Sequence, residues 1–312
     1  MEAGRHVIIF SCVAAYMVMC LLVGLWAMRR TKTPQDFFMA GRHLGIMVAS
    51  VAVFSSTMSG FGFVGGPGLV YKMGCSSFWM CIATSIGIGI TFFLLGKRLR
   101  LFAELREPIS LPDAVAARYG SRTTSGLTAL AILLGVMGYL ATQIWAMSHV
   151  IQSVVKNISW IGEVHLGYCA AISCAVLVFY CVTGGIIASV YTDLVQGLIM
   201  VVAAVLVVLA AVSAVDGGFE GMSRTILADD PEAMSPWGTL GMVGCLSWYF
   251  VFSLGACGQP HVITKLMMTR RVQDARSMLP MSVIGYGITD AVVDQHRFVN
   301  ASPGTAGHPS GT

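Results

Sequence analysis

The stretch Ser55–Gly68, "SSTMSGFGFVGGPG", sets four hydroxyl-bearing side chains, five glycines and a proline inside a long apolar region. Hydroxyl and main-chain oxygens suit a hard cation rather than a soft metal. Glycine and proline both weaken helices, so the stretch reads as an interruption in one. At membrane depth an interruption survives only where it is buried in protein or lines a water-filled cavity. Secondary transporters use such breaks to free carbonyls for a cation and to turn half-helix N-termini toward substrate. Ser55, Ser56, Thr57 and Ser59 would add side-chain oxygens, while Gly60, Gly62, Gly65 and Gly66 would let the chain unwind. Small residues also serve close helix packing, and both readings stand on these residues alone.

Three further stretches place polar groups in apolar surroundings. In "GYLATQIWAMSH", Tyr139 and Gln143 lie one helical turn apart on one face. They would meet either a cavity or another helix. In "GGIIASVYTDLVQG", Asp193 is an acid close to a span interior, near its cytoplasmic end. An intramembrane carboxylate is a functional hypothesis by default. Thr192 and Gln196 are candidate hydrogen-bond partners, and the alternative is that Asp193 caps a helix starting at Thr192. In "FSLGACGQPHVITK", Pro260 kinks or breaks a helix, softened by Gly255 and Gly258, with Phe252 and Ala256 on a similar face. The seven histidines are scattered and the nine cysteines sit in or beside apolar runs without a C-x-x-C pair. There is no phosphate loop, nucleophile elbow or metal-ligand spacing, so the reading is of a protein that is not an enzyme.

The elements that must position these residues follow from composition. Hydrophobic residues make up 56% of the 312 and charged residues 11%, against about 25% charged in soluble domains. That predicts an all-α integral membrane protein, with the lipid bilayer as its partner and no nucleic acid. A crossing helix needs about 20 apolar residues. Spans are predicted at 7–28, 45–71, 75–96, 125–155, 165–187, 190–215 and 238–264, with an eighth apolar stretch from Met278 to Thr289. Residues 1–289 then form the transmembrane domain, and 290–312 a polar tail, disordered or aberrant.

The first run, Val7–Met28, is followed by Arg29, Arg30 and Lys32 without a small-residue cleavage site. This is a stop-transfer pattern rather than a signal peptide. Basic residues concentrate in the first and third gaps and after the seventh span, where Lys265, Arg270, Arg271 and Arg276 fall. Cytoplasmic loops carry this excess, which predicts a multi-pass plasma-membrane protein with its N-terminus outside. One cytoplasmic segment, "SLPDAVAARYG", predicts a short helix capped by Ser110, with Pro112 and Asp113 in its first turn and Gly120 at its end.

Taken together, these stretches resemble the sodium:solute symporter family, which includes proline permeases and sodium–sugar cotransporters. The resemblance runs from about residue 7 to 289. It rests on "DFFMAGRHLG" (36–45), "SSTMSGFGFVGGPG" (55–68), "SLPDAVAARYG" (110–120), "YLATQ" (139–143), "GGIIASVYTDLVQ" (184–196) and "GQPHVITKLMMTRR" (258–271). It implies a LeuT-type inverted-repeat fold, the first repeat complete in 45–215 and the second largely missing after 238–264. It also implies a co-transported sodium ion, held by the carbonyls of Ser55 and Met58 with Thr57 and Ser59 nearby, and Asp193 on its cytoplasmic route. Substrate-side positions would be Tyr139, Gln143, Phe252, Ala256 and Gly60. Thr57 stands where proline permeases carry an aspartate, and Phe252 and Ala256 where they carry an aromatic pair.

The function so implied is sodium-coupled symport of a small neutral or zwitterionic organic solute by alternating access. The chain is expected to be a C-terminally truncated portion, inactive on its own. A membrane-embedded sensor and a non-functional fragment are the rival readings. The sequence leaves the solute, the sodium stoichiometry and the oligomeric state open.

Overall fold

The computed structural model describes residues 2–58, 62, 65–156, 164–215 and 217–300. The regular elements among them are helices. Five stretches are long and apolar enough to cross a membrane: Val7–Arg30, Ser76–Arg106, Arg122–Lys156, Leu166–Ala210 and Gly238–Met267. The first lies within α1 (Glu2–Arg30). A short α2 (Pro34–Met39) follows it.

The crossing predicted at 45–71 is divided. α3 (Ile46–Thr57) and α4 (Gly66–Met73) are separate half-helices on either side of the glycine-rich interruption. The next crossing joins α5 (Ser76–Thr91) to α6 (Lys97–Arg106) through a π turn at Phe92–Gly96. α7 (Leu111–Tyr119) is the predicted short helix. The Ser110 hydroxyl accepts from the Asp113 amide at 3.2 Å, and Gly120 closes the helix at φ 65°.

After α8 (Arg122–Lys156), α9 runs from Leu166 to Ala214. Straight, its 49 residues would reach about 74 Å, more than twice a hydrocarbon core. It is not straight. Gly185, at φ 57° and ψ −149°, breaks it into two crossings. The connection predicted between the spans 165–187 and 190–215 is therefore a single-residue corner. A side chain there would come within 2.6 Å of the Phe37 carbonyl oxygen, so glycine alone lets α9 fold against α2.

α10 (Gly218–Asp229) leads to α11 (Gly241–Cys257), α12 (Pro260–Met267) and α13 (Asp274–Asn300). α13 passes the end of its apolar pattern at Thr289 and stays helical to Asn300. No glycine or proline lies between Ala291 and Asn300 to stop it.

α3 sits at the centre. Ala49, Ser50, Val51, Ala52, Val53, Phe54 and Ser55 are all buried, as expected of a helix apolar on every side. Gly197 of α9 admits Val51 and Phe54, and Gly285 of α13 takes the Phe54 ring. The Ser282 hydroxyl of α13 donates to the Ser50 carbonyl at 3.2 Å.

α11 is backed by α5 along its length. Gly87 faces Ser253 and Ala256 so closely that a side chain there would collide with both. The Ser253 hydroxyl donates to the Ala83 carbonyl at 3.0 Å. At one end of the pair Trp79 stacks on Trp237, ring centres 4.7 Å apart, and its indole N–H donates to the Pro236 carbonyl.

Candidate functional site

The last turn of α3 ends where the sequence predicts a break. The Met58 amide still donates to Phe54, but Met58 itself, at φ −77° and ψ 87°, has left the helix. The helix dipole gives this end a partial negative charge. Thr57 returns its hydroxyl to the Val53 carbonyl at 2.9 Å. Ser56 does the same to Ala52 at 2.8 Å. Ser55 differs: its side chain is buried and its Oγ has no hydrogen-bond partner. Ser59 and Gly60, the other two predicted members of this site, lie outside the described residues.

A charge cluster lies beside this end. Lys265 of α12 sends its ammonium Nζ 2.7 Å from Asp193 Oδ2, 2.7 Å from Ser56 Oγ and 2.8 Å from the Ala52 carbonyl oxygen. The lysine side chain is 4% exposed and the aspartate 15%. An ammonium has three donors, and all three are used here. A buried ion pair persists only when its geometry is good and its remaining hydrogen-bond capacity is met, as it is for this lysine.

Asp193 lies eight residues beyond the Gly185 corner, about 12 Å along the helix. It is not a helix cap. The neighbours proposed from sequence bond elsewhere, Thr192 to the Ala188 and Ser189 carbonyls and Gln196 to the Tyr16 hydroxyl.

A cavity of about 760 Å³ opens between α7, α8 and the α11–α12 junction. Tyr139 lines it from α8, and Gly258, Gln259, Pro260 and His261 line it from the junction. α11 stops at Gly258, Gln259 is extended, and Pro260 starts the next helix. The Tyr139 ring stacks on His261 with centres 5.9 Å apart, and its hydroxyl lies 3.5 Å from the Ser56 carbonyl. Gln259 Oε1 and His261 Nε2 are buried without hydrogen-bond partners. A cavity with an aromatic wall and a few unspent polar atoms suits a small organic molecule.

The predicted substrate-side residues do not all meet here. Tyr139 lines the cavity, whereas Gln143, one turn further along α8, lies outside its lining. Phe252 packs its ring edge-on to Trp248, and Ala256 is buried against Gly87 of α5. Neither reaches the cavity lining. α11 is apolar all round, so the sequence gives no sign of which face meets α5.

The sequence profile of the sodium:solute symporter family matches residues 37–304. This chain belongs to the sodium:solute symporter family. Two relatives are an osmoregulated proline transporter of Bacillus subtilis, 28% identical over 295 residues, and a sodium/proline symporter of Staphylococcus aureus, 28% identical over 271 residues. The first alignment covers 91% of this chain and 58% of the relative, the second 86% and 50%. The chain thus spans about half the length of the relatives it matches. Its fold is that of a Na+-coupled sialic acid symporter solved in a substrate-bound outward-open state. The TM-score is 0.79 at 20% identity, covering 97% of this chain and 62% of that one. The architecture is the all-α LeuT-type fold that the resemblance implied.

Within that family fold, Lys265 is the site residue that sequence reading missed. Its position after the seventh apolar run placed it among the cytoplasmic loop charges, yet it is 3% exposed. Arg42 and Arg100 were placed in basic gaps in the same way and are also buried. Those two bind main-chain carbonyls, Arg42 at Pro108 and Arg100 at Thr269 and Arg270. Burial also pulls the Arg42 guanidinium below its ordinary pKa. Lys265 alone of the three reaches a carboxylate on another membrane helix. The available signal was its setting: one cation within the apolar run "VITKLMM".

Proposed function

We propose that this chain serves sodium-coupled symport of a small organic solute by alternating access, in the plasma membrane with its N-terminus outside. Sodium is held by the carbonyls of Ser55 and Met58, with Thr57 and Ser59 beside them, and passes Asp193 on its way inward. The solute, neutral or zwitterionic, rests in the cavity lined by Tyr139, with Gln143 one turn further along α8. The observation that carries this reading is the end of α3 at Met58, inside the bundle, with its last turn adjoining both the Asp193 cluster and the Tyr139 cavity.

The chemistry follows from these positions. A cation at the α3 end neutralises the negative end of the helix dipole. That fixes the half-helix against α8 and shapes the cavity wall. The membrane potential adds about 2.3 kcal/mol per charge per 100 mV, so one inward-moving sodium can concentrate a neutral solute many-fold.

The test is uptake into proteoliposomes under an imposed inward sodium gradient. It is run for the chain itself and for the chain joined to the C-terminal part of the sodium/proline symporter it resembles. Proline and sialic acid are the first solutes to try, because similar proteins are named for them. Uptake by the joined protein that needs sodium and is lost in Tyr139→Ala, with none by the chain itself, is the expected result. Uptake equal in potassium and sodium would remove the sodium coupling.

A further inference from the structure

We infer that the ammonium of Lys265 is a tethered competitor of sodium, occupying a cation subsite built from Asp193, Ser56 and the Ala52 carbonyl, so that lysine and sodium exclude one another there. This deepens the symport reading and rests on it for the identity of the competing ion.

Oxygens from two helices converge on one nitrogen. Ala52 and Ser56 lie one turn apart on α3, and Asp193 faces them from α9. A carboxylate, a hydroxyl and a main-chain carbonyl are also what a small hard monovalent ion takes. Two positive charges cannot share these oxygens at about 3 Å without strong repulsion in so buried a place.

A second observation points to a ligand at the same spot. Ser55 Oγ is buried and unpartnered. The Ser55 side chain packs against Gly197 of α9, where an added side chain would meet its Cβ at 3.2 Å. Gly197 lies one helical turn beyond Asp193, on the same face. An unused hydroxyl therefore adjoins the filled cluster, and its oxygen becomes useful once a free ion replaces the ammonium.

The tether can also withdraw. Lys265 stands near the end of α12, a helix of eight residues that starts at Pro260 after the extended Gln259. Its four-carbon stem is flexible. A swing of α12 at that joint would draw the ammonium off Asp193 and leave the oxygens to sodium. The return swing would expel the ion.

The test uses the full chain in lipid nanodiscs, with thermal unfolding followed in sodium chloride and in choline chloride at equal ionic strength. In Lys265→Met, the sodium concentration giving half the stabilising shift should fall at least about tenfold from wild type, because a like charge at hydrogen-bond distance is gone. The gain should vanish in Lys265→Met/Asp193→Asn. Lys265→Arg keeps the charge and guards against misfolding of the neutral variant; it should need at least as much sodium as wild type. A sodium response in Lys265→Met equal to wild type, including none, overturns the inference, as does a tenfold gain in Lys265→Arg. The uptake assay separates the two levels. Sodium-driven uptake with an unchanged Lys265→Met response sinks the tether alone. Uptake that never needs sodium sinks the symport reading.

Discussion

Two of the helix breaks among the described residues are written in similar residues but set in different surroundings. At the first, α3 ends at Thr57 with every residue from Ala49 to Ser55 buried. At the second, α11 ends at Cys257, and Leu254, Gly255 and Gly258 all face the open cavity. The first break presents oxygens. The second presents a donor, because the helix that restarts at Pro260 carries Lys265 back to the first. Glycine and proline in an apolar run thus mark where a helix stops, while the neighbours decide what the stop can bind.

The sharpest way to break this comparison is to remove one side of the charge pair that links the two breaks. Asp193→Asn leaves a buried ammonium without its counter-charge and should cost about 3–5 kcal/mol. Unfolding of the variant in detergent micelles measures it. The double change Asp193→Asn/Lys265→Met should recover a large part of that loss. If the two single losses simply add, the breaks are not coupled.

The next effect concerns the backing of the second break. Gly87→Ala forces a methyl into Ser253 and Ala256 and should cost about 1–3 kcal/mol through overpacking, read by the same unfolding. Pro260→Ala should cost about 0.4–1 kcal/mol, since proline at the start of α12 mainly restrains the unfolded chain. It should also alter the sodium response, because α12 is then freer to continue from α11. The smallest change is Ser55→Ala. In choline it should be neutral or stabilising by at most about 1 kcal/mol, because it removes a buried hydroxyl with no partner. In sodium it should reduce the stabilising shift, and an unchanged shift would take Ser55 out of the ion's path.

Much of this was legible in residue types. The break after Thr57, the cap at Ser110 and the isolated carboxylate Asp193 all depend on local chemistry, and the sequence holds local chemistry in full. Partnership across the fold is another matter. Lys265 reads as a loop charge because the ends of apolar runs are blurred and its acceptors lie 72 to 213 residues away. From sequence, the alternative that Asp193 caps a helix stays open because the two glycines before it signal a turn without giving its length. A one-residue corner leaves Asp193 well inside the next crossing. The resemblance puts Ala256 on the substrate side, and a helix apolar all round has no periodicity to orient it otherwise. The polar residues after Thr289 read as a tail, although without a breaker the helix runs on to Asn300.

The parallel indoles of Trp79 and Trp237 provide an optical reference for whatever motion the helices make. Trp79 sits on α5 and Trp237 four residues before α11, at one end of a pair where Gly87 and the Ser253-to-Ala83 bond hold the two helices in close contact. Their coupled near-ultraviolet circular dichroism should therefore stay constant while the ammonium leaves its three oxygens. The moving joint would be confined to the two residues between Cys257 and Pro260, and the rest of that crossing would act as a fixed wall.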